Sequence, residues 1–369
     1  MIAALALLLA AAPDRGPVIS NAEALRRAMP LLGATAAVVK VSAGFSGELL
    51  VSTISNHGQM AFTVGPEGSS QKTPKTDPIW RWASVTKQVV AVAVMQQVED
   101  GRLSLDAPLA SVMPDIRVAN AGRITVRQLL QHTSGLPNPD DGPKTADGTG
   151  LLQYERRSPK PAPGLSPICL GPAKAEPGVR FDYNNCDYEV LGQVLEKVSG
   201  QPLAKLLEQR IYKPAGMTRV RLLVPGGDAG RPGYDAAGKP DSSIDPGRFG
   251  AAAGLAGTAS ELAAFDRALL DGRLLKPASR AEMWKGDPKF GYAALGQWSY
   301  TVPLKGCAAP VALVERRGQV GSVEVRNVIA PDKGIILIAF ADRPTDFGEP
   351  RQGKGVTYDL LSAALCPAN

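Results

Sequence analysis

The 369-residue sequence predicts an α+β fold in which one sheet is assembled from distant parts of the chain. Three observations carry that prediction. Short strand-like runs lie near both ends of the chain, and mostly helical sequence lies between them. The late run Gly334-Ile335-Ile336-Leu337-Ile338-Ala339-Phe340 is apolar throughout at strand length, as a strand buried on both faces requires.

In chain order, Met1 to Ala12 is an apolar run ending in small residues, which reads as a secretory signal cleaved near Ala12 and too short to span a bilayer. No Lys or Arg precedes it, so a plain terminal apolar stretch is the alternative. Ser20 to Met29 reads as a short helix. Ala36 to Val41, Gly47 to Ile54 and Gln59 to Gly65 read as strands joined by Gly, Ser and Asn turns. From Val85 to Val98 the sequence is apolar around almost the whole circumference of a helix, so this helix is expected inside a core and ends at Gly101. A mostly helical stretch follows from about Leu103 to about Pro246. Within it Pro137 to Gly178 carries nine prolines and six glycines and predicts a long irregular excursion. Tyr188 to Val198 is an amphipathic helix stopped by Gly200. From Gly247 onward come helices, β-rich sequence and a terminal helix. Residues 13–369 therefore read as one domain, its sheet part drawn from about 30–100 and 247–369 and its helical part from about 101–246.

With 44% hydrophobic and 21% charged residues the chain can bury a large core. Its net charge of +6 is scattered, with no Arg/Lys run longer than two, which argues against a nucleic-acid partner. In an oxidising compartment the four cysteines would pair as Cys169 with Cys186 and Cys307 with Cys366; the other connectivities and four free thiols stay open. No Cys-x-x-Cys occurs and there are two isolated histidines, so no metal site is expected and no cofactor is called for.

The chemistry concentrates at Arg81-Trp82-Ala83-Ser84-Val85-Thr86-Lys87. Residues i and i+3 of a helix share a face, so the Lys87 amine can reach the Ser84 oxygen. Neither His57 nor His132 lies in an obvious triad setting, which leaves lysine as the base. An ammonium cannot accept a proton at neutral pH, so the site must bury Lys87 or surround it with donors and positive charge. An N-cap serine followed by a surface lysine is the plainer interpretation of the pair alone, and the buried helix argues against it. Further on, Phe181-Asp182-Tyr183-Asn184-Asn185 delivers a phenol that can share a proton with serine and lysine, and an amide that can face both lysine and substrate. An Asx turn in which Asn185 caps the next helix explains the same residues equally well.

Together, Ser84-x-x-Lys87, the segment Leu129-Leu130-Gln131-His132-Thr133-Ser134-Gly135-Leu136, and Tyr183-x-Asn185 resemble the serine β-lactamase and penicillin-binding-protein superfamily. The likeness is to its branch of class C β-lactamases, D-alanyl-D-alanine carboxypeptidases and esterases. Lys213-Pro214-Ala215-Gly216-Met217 and Ala253-Gly254-Leu255-Ala256-Gly257-Thr258 extend it over about residues 30 to 365. The resemblance implies a β-lactamase/transpeptidase-like fold, an antiparallel sheet flanked by helices with an inserted helical region. It implies Ser84 as nucleophile, Lys87 as proton acceptor, Tyr183 as base or relay, and Asn185 as the substrate and lysine contact. His132 is expected to be structural, bonding neighbouring backbone groups, and His57 to be an exposed hairpin residue.

The family's third motif is a cationic residue, a small residue and glycine on the strand lining the site. Gln319-Val320-Gly321-Ser322 matches it at the right distance before the Ile335 strand, with Gln319 in place of the cation. Gly321 would let the backbone approach substrate, and the Ser322 N–H with that of Ser84 would form an oxyanion hole. A neutral amide there would weaken selection for a substrate carboxylate unless Arg316 or Arg317 compensates. The expected function is a serine hydrolase of β-lactams, D-amino-acid peptides or carboxylic esters, acting on a small-molecule or peptide acyl group through an acyl-enzyme, in the periplasm or outside the cell and with no transmembrane segment in the mature chain. The alternative is a catalytically silent relative that binds cell-wall peptide or a protein.

Overall fold

The computed structural model describes residues 45–53, 58–64, 77–144, 154–155, 165–241 and 243–366. The expected signal segment, the helix at Ser20 to Met29, the strand at Ala36 to Val41 and His57 lie outside them.

The expected sheet is present and antiparallel throughout. Its strands are β1 (Gly47–Thr53), β2 (Gln59–Val64), β6 (Trp298–Val302), β7 (Val311–Val320), β8 (Val323–Ala330) and β9 (Ile335–Ala341), in the spatial order β2-β1-β9-β8-β7-β6. The late strand β9 lies between the early β1 and β8, so distant segments do share one sheet. A small second sheet joins β3 (Trp80–Arg81), β5 (Leu255–Gly257) and β4 (Arg221–Leu222) in the order β3-β5-β4.

The period of two in a strand explains why β9 is apolar at every position. Ile336, Ile338 and Phe340 enter the larger core cluster, while Leu337, Ala339 and Ala341 enter the smaller one on the opposite face. The larger core also contains the buried helix α1 (Thr86–Glu99) together with α3 (Cys186–Ser199) and α4 (Ala259–Leu270); between α1 and α3 in sequence lies the short helix α2 (Val126–Leu130). The smaller core is closed by α5 (Val356–Leu365). Val89 to Val94 have no exposed side other than a trace at Ala93. Burying each valine there is worth roughly 1.5–3 kcal/mol, which fixes the axial position of α1.

Between residues 221 and 245 the described residues hold β4, isolated bridges and turns rather than helix. Pro225-Gly226-Gly227 and Arg231-Pro232-Gly233 interrupt every helical run there. Both expected disulfides are formed, Cys169–Cys186 and Cys307–Cys366. No helix among the described residues is long and apolar enough to cross a membrane.

A buried polar joint links α1, α4 and β8. Asn327 donates from its amide to Gln88 Oε1 and to Asp266 Oδ1, each at 3.0 Å. Burial pushes the Asp266 carboxyl up to about 8, against 3.8 ordinarily. Between those two values the unfolded chain releases a proton that the folded chain keeps, so this group lowers stability as pH rises from about 4 to about 8, with no further loss above. Asp266→Asn is therefore expected to flatten the fall of Tm across that window. It should gain roughly 1–3 kcal/mol at pH 8 and above, the cost of a poorly satisfied buried charge. A variant whose Tm falls with pH as steeply as the parent's would contradict this.

Candidate active site

Ser84 sits in a 3-10 turn (Ala83–Val85) that runs directly into α1, so Lys87 occupies the first turn of the helix. Lys87 is fully buried, and its Nζ makes three polar contacts: Asn185 Oδ1 at 2.7 Å, the Ala252 carbonyl at 2.9 Å and Ser84 Oγ at 3.1 Å. Two of the partners can only accept, so in the neutral amine they hold both protons and the lone pair is left for the serine. Burial holds the Lys87 ammonium below its ordinary value, the Arg316 guanidinium adds to that, and Tyr183 opposes it.

Tyr183 completes the group, its phenolic oxygen 2.6 Å from Ser84 Oγ. Burial raises its pKa, but the charges of Lys87 and Arg316 and the hydrogen bonds to Lys87 and Ser84 outweigh burial and leave it below an ordinary phenol. Asn185 is the first residue before α3, yet its side chain makes no capping bond. Asn184 takes that task, accepting the Asp187 N–H at 2.8 Å, and so leaves Asn185 for Lys87. Asp140 accepts the Asn185 amide N–H at 3.0 Å, which turns the amide oxygen toward the lysine. Asn138 ties the same loop to the motif by accepting the Asn185 N–H at 3.2 Å and donating to the Tyr183 carbonyl at 3.2 Å.

His132 is buried behind Tyr183, ring centroids 4.5 Å apart. Its Nδ1 lies 3.1 Å from Asp187 Oδ2 and accepts the backbone N–H of Asn184 at 3.5 Å, so a side chain joins the expected backbone partner. Ser134 and Asn184 also donate to the Asp187 carboxylate. Burial holds His132 neutral and pushes Asp187 up, which makes the cluster a rigid floor for the tyrosine rather than a charge relay.

The third-motif residues are placed differently from expectation. Along β7 the side chains alternate between faces, and Val314, Arg316, Gly318 and Val320 face the core that contains Ser84. Gln319 therefore points to the other face, where it is exposed and donates to the Gly321 carbonyl at 3.3 Å. Gly321 and Ser322 form the β7–β8 turn, and the Ser322 N–H is bonded to Asp241 Oδ2 at 2.7 Å. The cation that the motif calls for is Arg316, three residues earlier. It is 1% exposed, donates to the Ser84 carbonyl at 2.9 Å and to the Tyr183 oxygen at 3.1 Å, and packs over the Trp298 ring. The glycine of close approach is Gly318, where a Cβ would stand 2.8 Å from the Ser84 nitrogen and 2.9 Å from Ala83 Cβ.

The ladder also identifies which backbone groups point away from β8. Counting back from the two-residue turn, Val320 and Gly318 exchange bonds with β8, and Arg317 and Gln319 direct theirs to the opposite edge, beyond the last β6 pairing at Trp298–Glu315. Asn138, Asp140, Arg316 and Gly318 are the site residues that sequence reasoning did not assign. Only Arg316 carried a signal, as a cation two residues before a glycine.

The beta-lactamase family model matches residues 50–352. Esterase EstB of Burkholderia gladioli is 30% identical over 182 residues, 45% of this chain and 45% of the esterase. The chain thus matches about half the length of that relative. Penicillin-binding protein 4 of Amycolatopsis lactamdurans is 27% identical over 66% of this chain and 73% of its own. Among solved structures, a D-stereospecific amidohydrolase from Streptomyces superposes with a TM-score of 0.70 at 23% identity, covering 92% of this chain and 99% of the other. D-amino acid amidase from Ochrobactrum anthropi SV3 gives 0.69 at 21% identity, covering 89% and 98%. At those identities the two structures speak to the fold.

Proposed function

The chain belongs to the beta-lactamase family, whose relatives are serine hydrolases of the β-lactamase, penicillin-binding-protein, esterase and amidase type, and from that premise we propose that it cleaves an ester or amide through an acyl-enzyme on Ser84. The observation that carries the proposal is the buried Lys87 amine 3.1 Å from Ser84 Oγ, with the Tyr183 oxygen 2.6 Å from the same atom.

Ser84 gives its proton to the Lys87–Tyr183 pair as its oxygen attacks the carbonyl carbon. The oxyanion is received by the Ser84 N–H and the Gln319 N–H, a donor that the β7 register leaves unpaired with β8. The proton passes through Tyr183 to the leaving alcohol or amine. Water, deprotonated by the same pair, then attacks the acyl-enzyme and releases the acid. Asn185 contacts substrate on the side facing Lys87.

The charge distribution favours neutral acyl substrates, short esters and amides, over substrates bearing a carboxylate beside the scissile bond. Arg316 is spent on Ser84 and Tyr183, and Arg317 is paired with Glu315 and Glu349. A catalytically silent binder was suggested by the loss of a cation on this strand, and Arg316 supplies that cation. Two disulfides suit an oxidising compartment, which supports a location outside the cytoplasm.

A panel of nitrophenyl esters, D-aminoacyl amides, D-alanyl peptides and nitrocefin tests the reading, and kcat/KM should be highest for an uncharged ester or amide. No turnover of any member, with no covalent adduct from a fluorophosphonate or a penicillin, would refute it. Because Arg316 depresses both Lys87 and Tyr183, Arg316→Met should move the acidic limb of kcat/KM to higher pH. At pH 7 it should cost about tenfold or more, the worth of one charge-assisted hydrogen bond. An unmoved limb would show that the guanidinium does not act on the pair.

A further inference from the structure

We propose that Asp241 is a positioning residue for this hydrolysis: its carboxylate clamps the tip of the β7–β8 hairpin to the strand entering the nucleophile, and so sets the Gln319 N–H at the distance the oxyanion needs. The inference rests on the oxyanion hole of the proposed function and adds the part that holds it.

The carboxylate is fully engaged. Oδ1 accepts from Arg81 Nη2 at 2.9 Å and from the Gly233 N–H at 3.1 Å, while Oδ2 accepts from the Ser322 N–H at 2.7 Å and from Arg81 Nη1 at 3.2 Å. Arg81 closes the circuit by donating to the Val320 carbonyl at 3.1 Å. Both side chains are nearly buried, 6% and 11% exposed. Arg81 lies three residues before Ser84, and Ser322 three residues after Gln319, so one carboxylate bridges the two backbone segments whose N–H groups would hold the oxyanion. The turn is shaped around it. Gly321 has a φ of +60°, and a Cβ there would fall 2.2 Å from Asp241 Oδ2.

On that side the tip is held by the Asp241–Arg81 pair and by close approach of the chain at Gly233, where a Cβ would fall 2.9 Å from Ser322. Among the described residues the outer edge of β7 has no strand partner beyond Glu315, and a cavity of about 380 Å³ walled by Arg81, Asp241, Pro232 and Ile244 lies beside the clamp. The amide of Gln319 therefore depends on β8 on one side and, through the turn, on the Asp241–Arg81 pair and the chain at Gly233. A small tilt of the tip moves that donor away from Ser84 while the rest of the sheet stays in register.

The test compares an ester with its thionoester. Sulfur is a weak acceptor on a longer bond, so an aligned oxyanion hole prefers the oxygen substrate, and loss of alignment erodes that preference. A smaller folded fraction scales both rates equally and leaves the ratio untouched. Asp241→Ala should lower kcat/KM for the ester and reduce the ester-to-thionoester ratio by about tenfold or more, a part of the roughly 10²–10³-fold that outright loss of one oxyanion donor costs. Asp241→Asn keeps an acceptor for Ser322 and loses the charge opposite Arg81; its ratio should fall about threefold, and it serves if the alanine variant does not fold. An unchanged ratio in whichever variant folds overturns the proposal. A parent enzyme with no preference for the ester refutes the oxyanion hole itself, and the clamp's role with it.

Discussion

Ser84→Ala is expected to abolish covalent labelling by a fluorophosphonate and to lower kcat on the best ester or amide by about 10⁴–10⁶-fold, the range seen when a serine nucleophile is removed from a site whose oxyanion donors remain. The Ser84 hydroxyl bonds to Lys87 and Tyr183, and alanine keeps the Cβ while removing one oxygen. Cooperative thermal unfolding should therefore persist. Intact-protein mass spectrometry reads the outcome directly. An alanine variant that still gains the mass of the reagent would move the nucleophile elsewhere and end the proposed mechanism.

Lys87→Met should cost roughly 10²–10⁴-fold in kcat, the usual contribution of a general base. Methionine nearly fills the lysine's space and removes the buried amine. It leaves Asn185 Oδ1 and the Ala252 carbonyl without their donor, at about 1–3 kcal/mol each, so a lower Tm is expected alongside the lower rate. The two effects separate by pre-steady-state labelling, because an intact fold with slow acylation is diagnostic of the missing base. Turnover at the parent's rate would assign proton transfer to Tyr183 alone.

The parts of this site that sequence made legible are those held by local geometry. Ser84 and Lys87 are three residues apart on one helix, and the apolar run behind them could only be buried. Tyr183 and Asn185 were legible through their spacing and resemblance, although the cap beside them belongs to Asn184. Asn138 and Asp140 could not be read in advance, since their roles depend on an irregular loop folding back onto Asn185. The misplacement on β7 has a sharper cause. Two glycines, Gly318 and Gly321, stand three residues apart, and a shift of an odd number of positions turns every side chain of a strand to its other face. Composition does not distinguish the two phases. The burial of Arg316 and the exposure of Gln319 do.

Because β9 is threaded between β1 and β8, the strand that closes the sheet is spelled by residues 335–341, long after β1 has left the ribosome. Until then the inner edge of β1 offers unpaired amides and carbonyls to any neighbouring chain, and nascent molecules are exposed to misassembly. Its eventual partner is nearly three hundred residues away, so loop closure is expected to govern the pace of maturation. Truncation ahead of Ile335 would leave β1 and β8 with no strand to join them, whatever the integrity of the chemistry at the serine.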